Sequence, residues 1–132
     1  EILKTRTQHD IHILCHHPNA KKLFFEPHAF QKHEWTIQQS KPQQKTLILD
    51  YIFLDQQQRY WIIDFKSQQP PLEETEEDWH KHLLKMYQGQ LNQYHNAVSK
   101  IFNQHPIKTG IYLTATGNII EFNTCSTQDY LH

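Results

Sequence analysis

A chain of 132 residues with 37% hydrophobic content suffices for one domain with its own core, and nothing in it marks a second. The net charge is -1 with the 11 histidines neutral, so no global positive field argues for nucleic acid, and a polyanion would have to meet local basic patches. Cys15 and Cys125 lack CxxC spacing, which excludes a zinc ribbon and fits a reducing, cytoplasmic setting, and no apolar run approaches the length of a membrane span.

Over residues 1–25 the apolar positions Ile11, Leu14, Cys15, Leu23 and Phe24 recur loosely at helical spacing around Pro18 and Asn19, which predicts helix, break and short helix. His12, Cys15 and His16 would share a helical face at a spacing that can bind zinc. In a chain so rich in histidine and glutamine the plainer reading of these residues, and of His17, is surface or capping groups. Residues 34–39 (EWTIQQ) alternate as a strand does, with Glu34 at its mouth as either a third acid or a solvated strand end.

Residues 46–66 (TLILDYIFLDQQQRYWIIDFK) are two β-branched and aromatic runs around a glutamine cluster, the pattern of a hairpin. A turn centred on Gln57 sets Asp50 opposite Asp64, and period two puts Lys66 on the face of Asp64. Two carboxylates side by side on an oily sheet repel, so a cation is expected between them, and a divalent ion suits hard oxygen ligands.

After Lys66 the prolines and acids of SQQPPLEETEED read as a linker ending in a helix cap, Thr75 or Asp78. Apolar residues at three and four from Leu83 to Ile101 predict a helix over 79–102, with Gln90 and Tyr94 on one face. From spacing alone those two are a buried tyrosine and its hydrogen-bonded glutamine. IKTGIYLTATGNIIEF closes the chain as two strands around Ala115 to Asn118. No GxxxxGK phosphate loop occurs, so these residues do not hydrolyse ATP by that route.

The order strand with Asp50, strand with Asp64-Phe65-Lys66, helix with Gln90-x-x-x-Tyr94 resembles the PD-(D/E)xK nuclease superfamily, and more narrowly the C-terminal nuclease domain of RecB and AddA type helicase-nucleases. The segments EWTI, LILDYIF, WIIDFKS, YQGQLNQYHNAV and IKTGIYLTATGNIIEF carry the resemblance. It implies an α/β (α+β) fold with a restriction-endonuclease-like core, a central mixed sheet with an antiparallel meander flanked by helices. It also implies that residues 1–132 are one nuclease domain, a C-terminal fragment of a longer protein, as a chain beginning at Glu1 would fit. Carried over, Asp50 and Asp64 would hold magnesium or manganese with the Phe65 carbonyl and, as a further candidate, Glu34. Lys66 would position or activate the attacking water, and Gln90 and Tyr94 would contact DNA.

The implied activity is that of a magnesium-dependent exodeoxyribonuclease in DNA end processing and double-strand break repair. Its partners would be DNA, an upstream helicase domain and a second helicase-nuclease subunit, with no membrane. Two departures stand against the pattern: Leu47 occupies a position where the family commonly has glycine, and the family's upstream histidine ligand has only His12, His16 or His17 as fallback candidates. Two cysteines exclude the iron-sulfur branch. The alternative is a nuclease-fold module that binds DNA or a partner protein without cutting.

Overall fold

The structure, a computed structural model, describes residues 27–40 and 44–122 together with His12, Pro18, Lys22 and Leu23. Strands β1 (Gln31–Gln39), β2 (Lys45–Leu54) and β3 (Tyr60–Lys66) form an antiparallel meander, the helix α1 (Glu76–Ile101) follows, and β4 (Ile107–Leu113) and β5 (Ile119–Phe122) close the described chain. The sheet order is β1-β2-β3-β4-β5, with β3 and β4 parallel and β4 and β5 antiparallel. Parallel neighbours need a crossover, and α1 supplies it. This is a mixed five-stranded α+β fold, consistent with a restriction-endonuclease-like core, with one long helix among the described residues. The helices expected over 1–25, and with them Cys15, His16, His17 and also Cys125, fall outside those residues.

Asp55 sets the turn that fixes the β2–β3 register. Its Oδ1 accepts from the N–H groups of Gln57 and Arg59, both at 2.9 Å, and its Oδ2 from Arg59 Nε at 2.8 Å and Trp61 Nε1 at 2.9 Å. Burial alone would raise the Asp55 carboxyl, but these bonds outweigh it and hold it below the usual carboxylate range. Gln58 takes the left-handed conformation at φ 63, and the two arms pair from Leu54↔Tyr60 to Tyr51↔Ile63.

Thr75 is the N-cap of α1, its Oγ1 accepting from Asp78 N–H at 3.1 Å. The helix therefore begins three residues before the expected start at 79, because Glu76, Glu77 and Asp78 occupy its first turn, where the dipole favours acids but no apolar stripe marks them. Along it Trp79, Leu83 and Leu91 pack on Ile111, Leu113, Ile120 and Phe122, while Tyr94, Ala97 and Val98 nearer its C-terminus pack on Ile37, Leu47, Leu49, Ile52 and Ile62. Leu47 is thus a core residue facing Ile37 across the β1–β2 pair. The opposite face gathers Leu23, Tyr51, Phe53, Ile63 and Tyr112. The closing turn uses Gly117 at φ 80, which glycine adopts without steric cost. No helix among the described residues is long and apolar enough to cross a membrane.

Candidate active site

The β2–β3 ladder stops one step short of the acid pair. Continuing its register from Tyr51↔Ile63 sets Asp50 opposite Asp64, as a turn centred on Gln57 requires. At that level the Asp50 carboxylate reaches across and its Oδ2 accepts the Phe65 N–H at 2.9 Å. A side chain thus takes over from the backbone where the two strands part. On its other edge β3 remains paired to β4, with Asp64, Phe65 and Lys66 against Ile111, Tyr112 and Leu113, so the tripeptide is held on a rigid strand.

A second irregularity lies at the same level. Leu47, Leu49 and Ile52 pack on the helix side, whereas Tyr51 and Phe53 face the other way, so strict alternation along β2 fails at Asp50. On β1, Trp35 and Ile37 pack on the helix side while His33 stacks on Tyr51 with ring centroids 4.3 Å apart. Glu34, between them, has φ 49, a left-handed conformation unfavourable for a residue with a Cβ. The β1–β2 register pairs His33 with Tyr51 and Trp35 with Leu49, which puts Glu34 level with Asp50. Both strands change face at these two acids. Strain of this kind recurs where a backbone is bent to aim a functional side chain.

Asp64 is only 3% exposed, and Lys66 Nζ lies 2.9 Å from its Oδ2. This ion pair with Lys66 is the only contact at Oδ2 among the described residues. Burial, with Asp50 alongside, pushes the Asp64 carboxyl up to about 6 in spite of the lysine. Burial pulls the Lys66 ammonium down, but Asp64, then Tyr87 and Asp50, more than offset it, so the ammonium is held above the usual lysine range.

Helix α1 forms the facing wall. Gln90 Nε2 donates to Tyr94 Oη at 3.0 Å, while Gln90 Oε1 is buried with no partner. Burial first, and then the charges of Asp64 and Asp50, raise the Tyr94 hydroxyl, which places that residue within electrostatic reach of the acids. The ring of Tyr87 lies under Lys66, with Nζ 3.9 Å from its centroid. Asp50, Asp64, Lys66, Gln90 and Tyr94, scattered over 45 positions of sequence, thus meet beside one helix. Glu34 is exposed, and the described residues contain no group of three or more His, Cys, Asp or Glu able to hold a metal. Sequence reasoning passed over Tyr87, whose place on the apolar stripe read as core, and the Phe65 N–H, which carries no signal in residue type.

The chain matches no family model. Over 74 residues, 56% of its length, it is 35% identical to an ATP-dependent helicase/nuclease protein of Natranaerobius thermophilus, one subunit of such an enzyme. The chain spans 6% of that relative. It is therefore similar to a limited part of a large helicase/nuclease polypeptide.

The donor set suits a hard divalent cation. Of two adjacent carboxylates one is buried and stays raised in spite of its ion pair with Lys66, so the pair has room for further positive charge. Magnesium needs few protein ligands, since one or two carboxylates with water and substrate phosphate complete its shell.

Proposed function

We propose that this chain is a PD-(D/E)xK nuclease domain hydrolysing DNA phosphodiester bonds, an exonuclease-type activity in DNA end processing and double-strand break repair within an AddA-like, cytoplasmic helicase-nuclease. The observation that carries the reading is the buried Asp64, ion-paired with Lys66 and set beside Asp50 at the point where the strands part. The similarity to a helicase/nuclease polypeptide supports it independently.

In this reading Asp50 and Asp64, with the Phe65 carbonyl, would hold magnesium or manganese, and Glu34 on the neighbouring strand is a further candidate. The ion supplies Lewis acidity toward the scissile phosphate and makes water a stronger nucleophile at neutral pH. Lys66 presents its ammonium to the attacking water or to a phosphate oxygen whose charge grows toward the transition state. Gln90 and Tyr94 line the wall along which the DNA strand lies. The helicase motor and a second subunit are the expected partners.

The test is cleavage of linear DNA by wild type and Lys66→Ala with magnesium, with manganese and with chelator. A protonated amine offers only donors, so losing Lys66 spares the acid pair. Cleavage should fall about 100- to 1,000-fold, in turnover more than in DNA affinity. A mutant that cuts as fast as wild type refutes the role of Lys66, and wild type that never cuts leaves a binding module.

A further inference from the structure

The lysine of this site needs a restraint that leaves its N–H donors free. Its stem has four carbons and many rotamers, and an ammonium that wanders cannot meet a phosphate oxygen at a fixed point. Asp64 ion-pairs with Nζ at 2.9 Å and so engages the ammonium from one side only. The other close group is the face of Tyr87, 3.9 Å from Nζ to ring centroid and well within the range of a cation–π contact. Tyr87 is itself held: it is half-buried on α1 and packs against the cluster of Trp79, Leu83, Leu91, Ile111 and Leu113. A rigid wall thus lies against a flexible cation.

We propose that Tyr87 is a positioning residue: its ring face fixes the Lys66 ammonium over the acid pair while leaving the N–H groups not turned to Asp64 unspent for substrate. A second carboxylate at this place would hold the ammonium as firmly, but would repel the phosphate and compete with it for the same donors. An aromatic face does neither, because its attraction is electrostatic and without direction toward a particular N–H. The ring is what matters, and the phenol hydroxyl is dispensable. The inference rests on the proposed role of Lys66 for its catalytic consequence, but the placement of the ammonium stands apart from that role.

Two measurements on the full chain separate these levels. In chelator, the ε-methylene protons of Lys66, assigned by their loss in Lys66→Ala, should be displaced upfield by the ring current in wild type and in Tyr87→Phe. In Tyr87→Leu they should return to the ordinary lysine position. Ordinary lysine shifts in wild type overturn the proposal whether or not the protein cuts DNA. In the cleavage assay Tyr87→Leu should lose about 10-fold in kcat with KM for DNA within about twofold, and Tyr87→Phe should stay within about threefold of wild type. Equal losses in Phe and Leu variants, or a loss confined to KM, would make Tyr87 a DNA contact through its hydroxyl and overturn the positioning role. If wild type shows the ring-current shift yet never cuts, the placement holds and the nuclease reading fails.

Discussion

Asp64→Asn should make the metal-free protein more stable while abolishing the proposed DNA cleavage. The wild-type carboxyl has an ordinary value of 3.8 and is pushed up to about 6 in the fold, chiefly by burial. A carboxyl raised on folding favours the folded state when protonated. Its contribution is fully present below 3.8 and is lost as pH rises through about 6. At pH 7.5 the ionised Asp64 therefore costs up to about 3 kcal/mol, at roughly 1.4 kcal/mol for each pH unit between the two values. Asparagine keeps the shape and carries no charge, so urea unfolding in chelator at pH 7.5 should show a gain approaching that figure, and thermal unfolding a rise on the order of 10 °C in Tm. At pH 4 the two proteins should differ little. Magnesium should then narrow the gap, because a ligand at one hundred times its wild-type Kd adds about 2.7 kcal/mol to wild type and less to the weaker-binding mutant. A mutant less stable than wild type at pH 7.5 in chelator, or a difference that does not change between pH 4 and 7.5, would refute the claim that the burial of Asp64 outweighs its compensation by Lys66.

Glu34→Gly removes the cost of a side chain at φ 49 and should raise stability by about 1 kcal/mol in urea unfolding, against the usual sign for glycine in a strand. Gly110→Ala places a Cβ 3.0 Å from the Ile120 carbonyl oxygen, a backbone atom, and should lower stability by about 1–3 kcal/mol by prising β5 from β4. Its cleavage rate per folded molecule should be unchanged.

Much of this arrangement was legible in the residues. The turn is short and polar and the flanking runs are apolar, so counting outward from Gln57 gave the register that aligns Asp50 with Asp64. Helix α1 was legible from its stripe, and the closing hairpin from Thr-Gly-Asn. The change of face at Glu34 and Asp50 was hidden because LILDYIF is apolar on both sides of the sheet, so alternation carries no information there. Tyr87 was hidden for a related reason: on an amphipathic helix a tyrosine in the apolar stripe is indistinguishable from core until its neighbour across the gap is known. Leu47 stood out as a departure from a resembling family, yet it lies in the core beside Ile37, where a large apolar side chain fills space between the sheet and α1.

The acid pair as the seat of a divalent cation is tested most directly by calorimetric titration of manganese into wild type, Asp50→Asn and Asp64→Asn, all in metal-free buffer at pH 7.5. The expected result is saturable binding to wild type, about 10-fold or more weaker in Asp50→Asn and weakened at least as much in Asp64→Asn, since each substitution removes one anionic ligand. Equal affinity in all three proteins would contradict it.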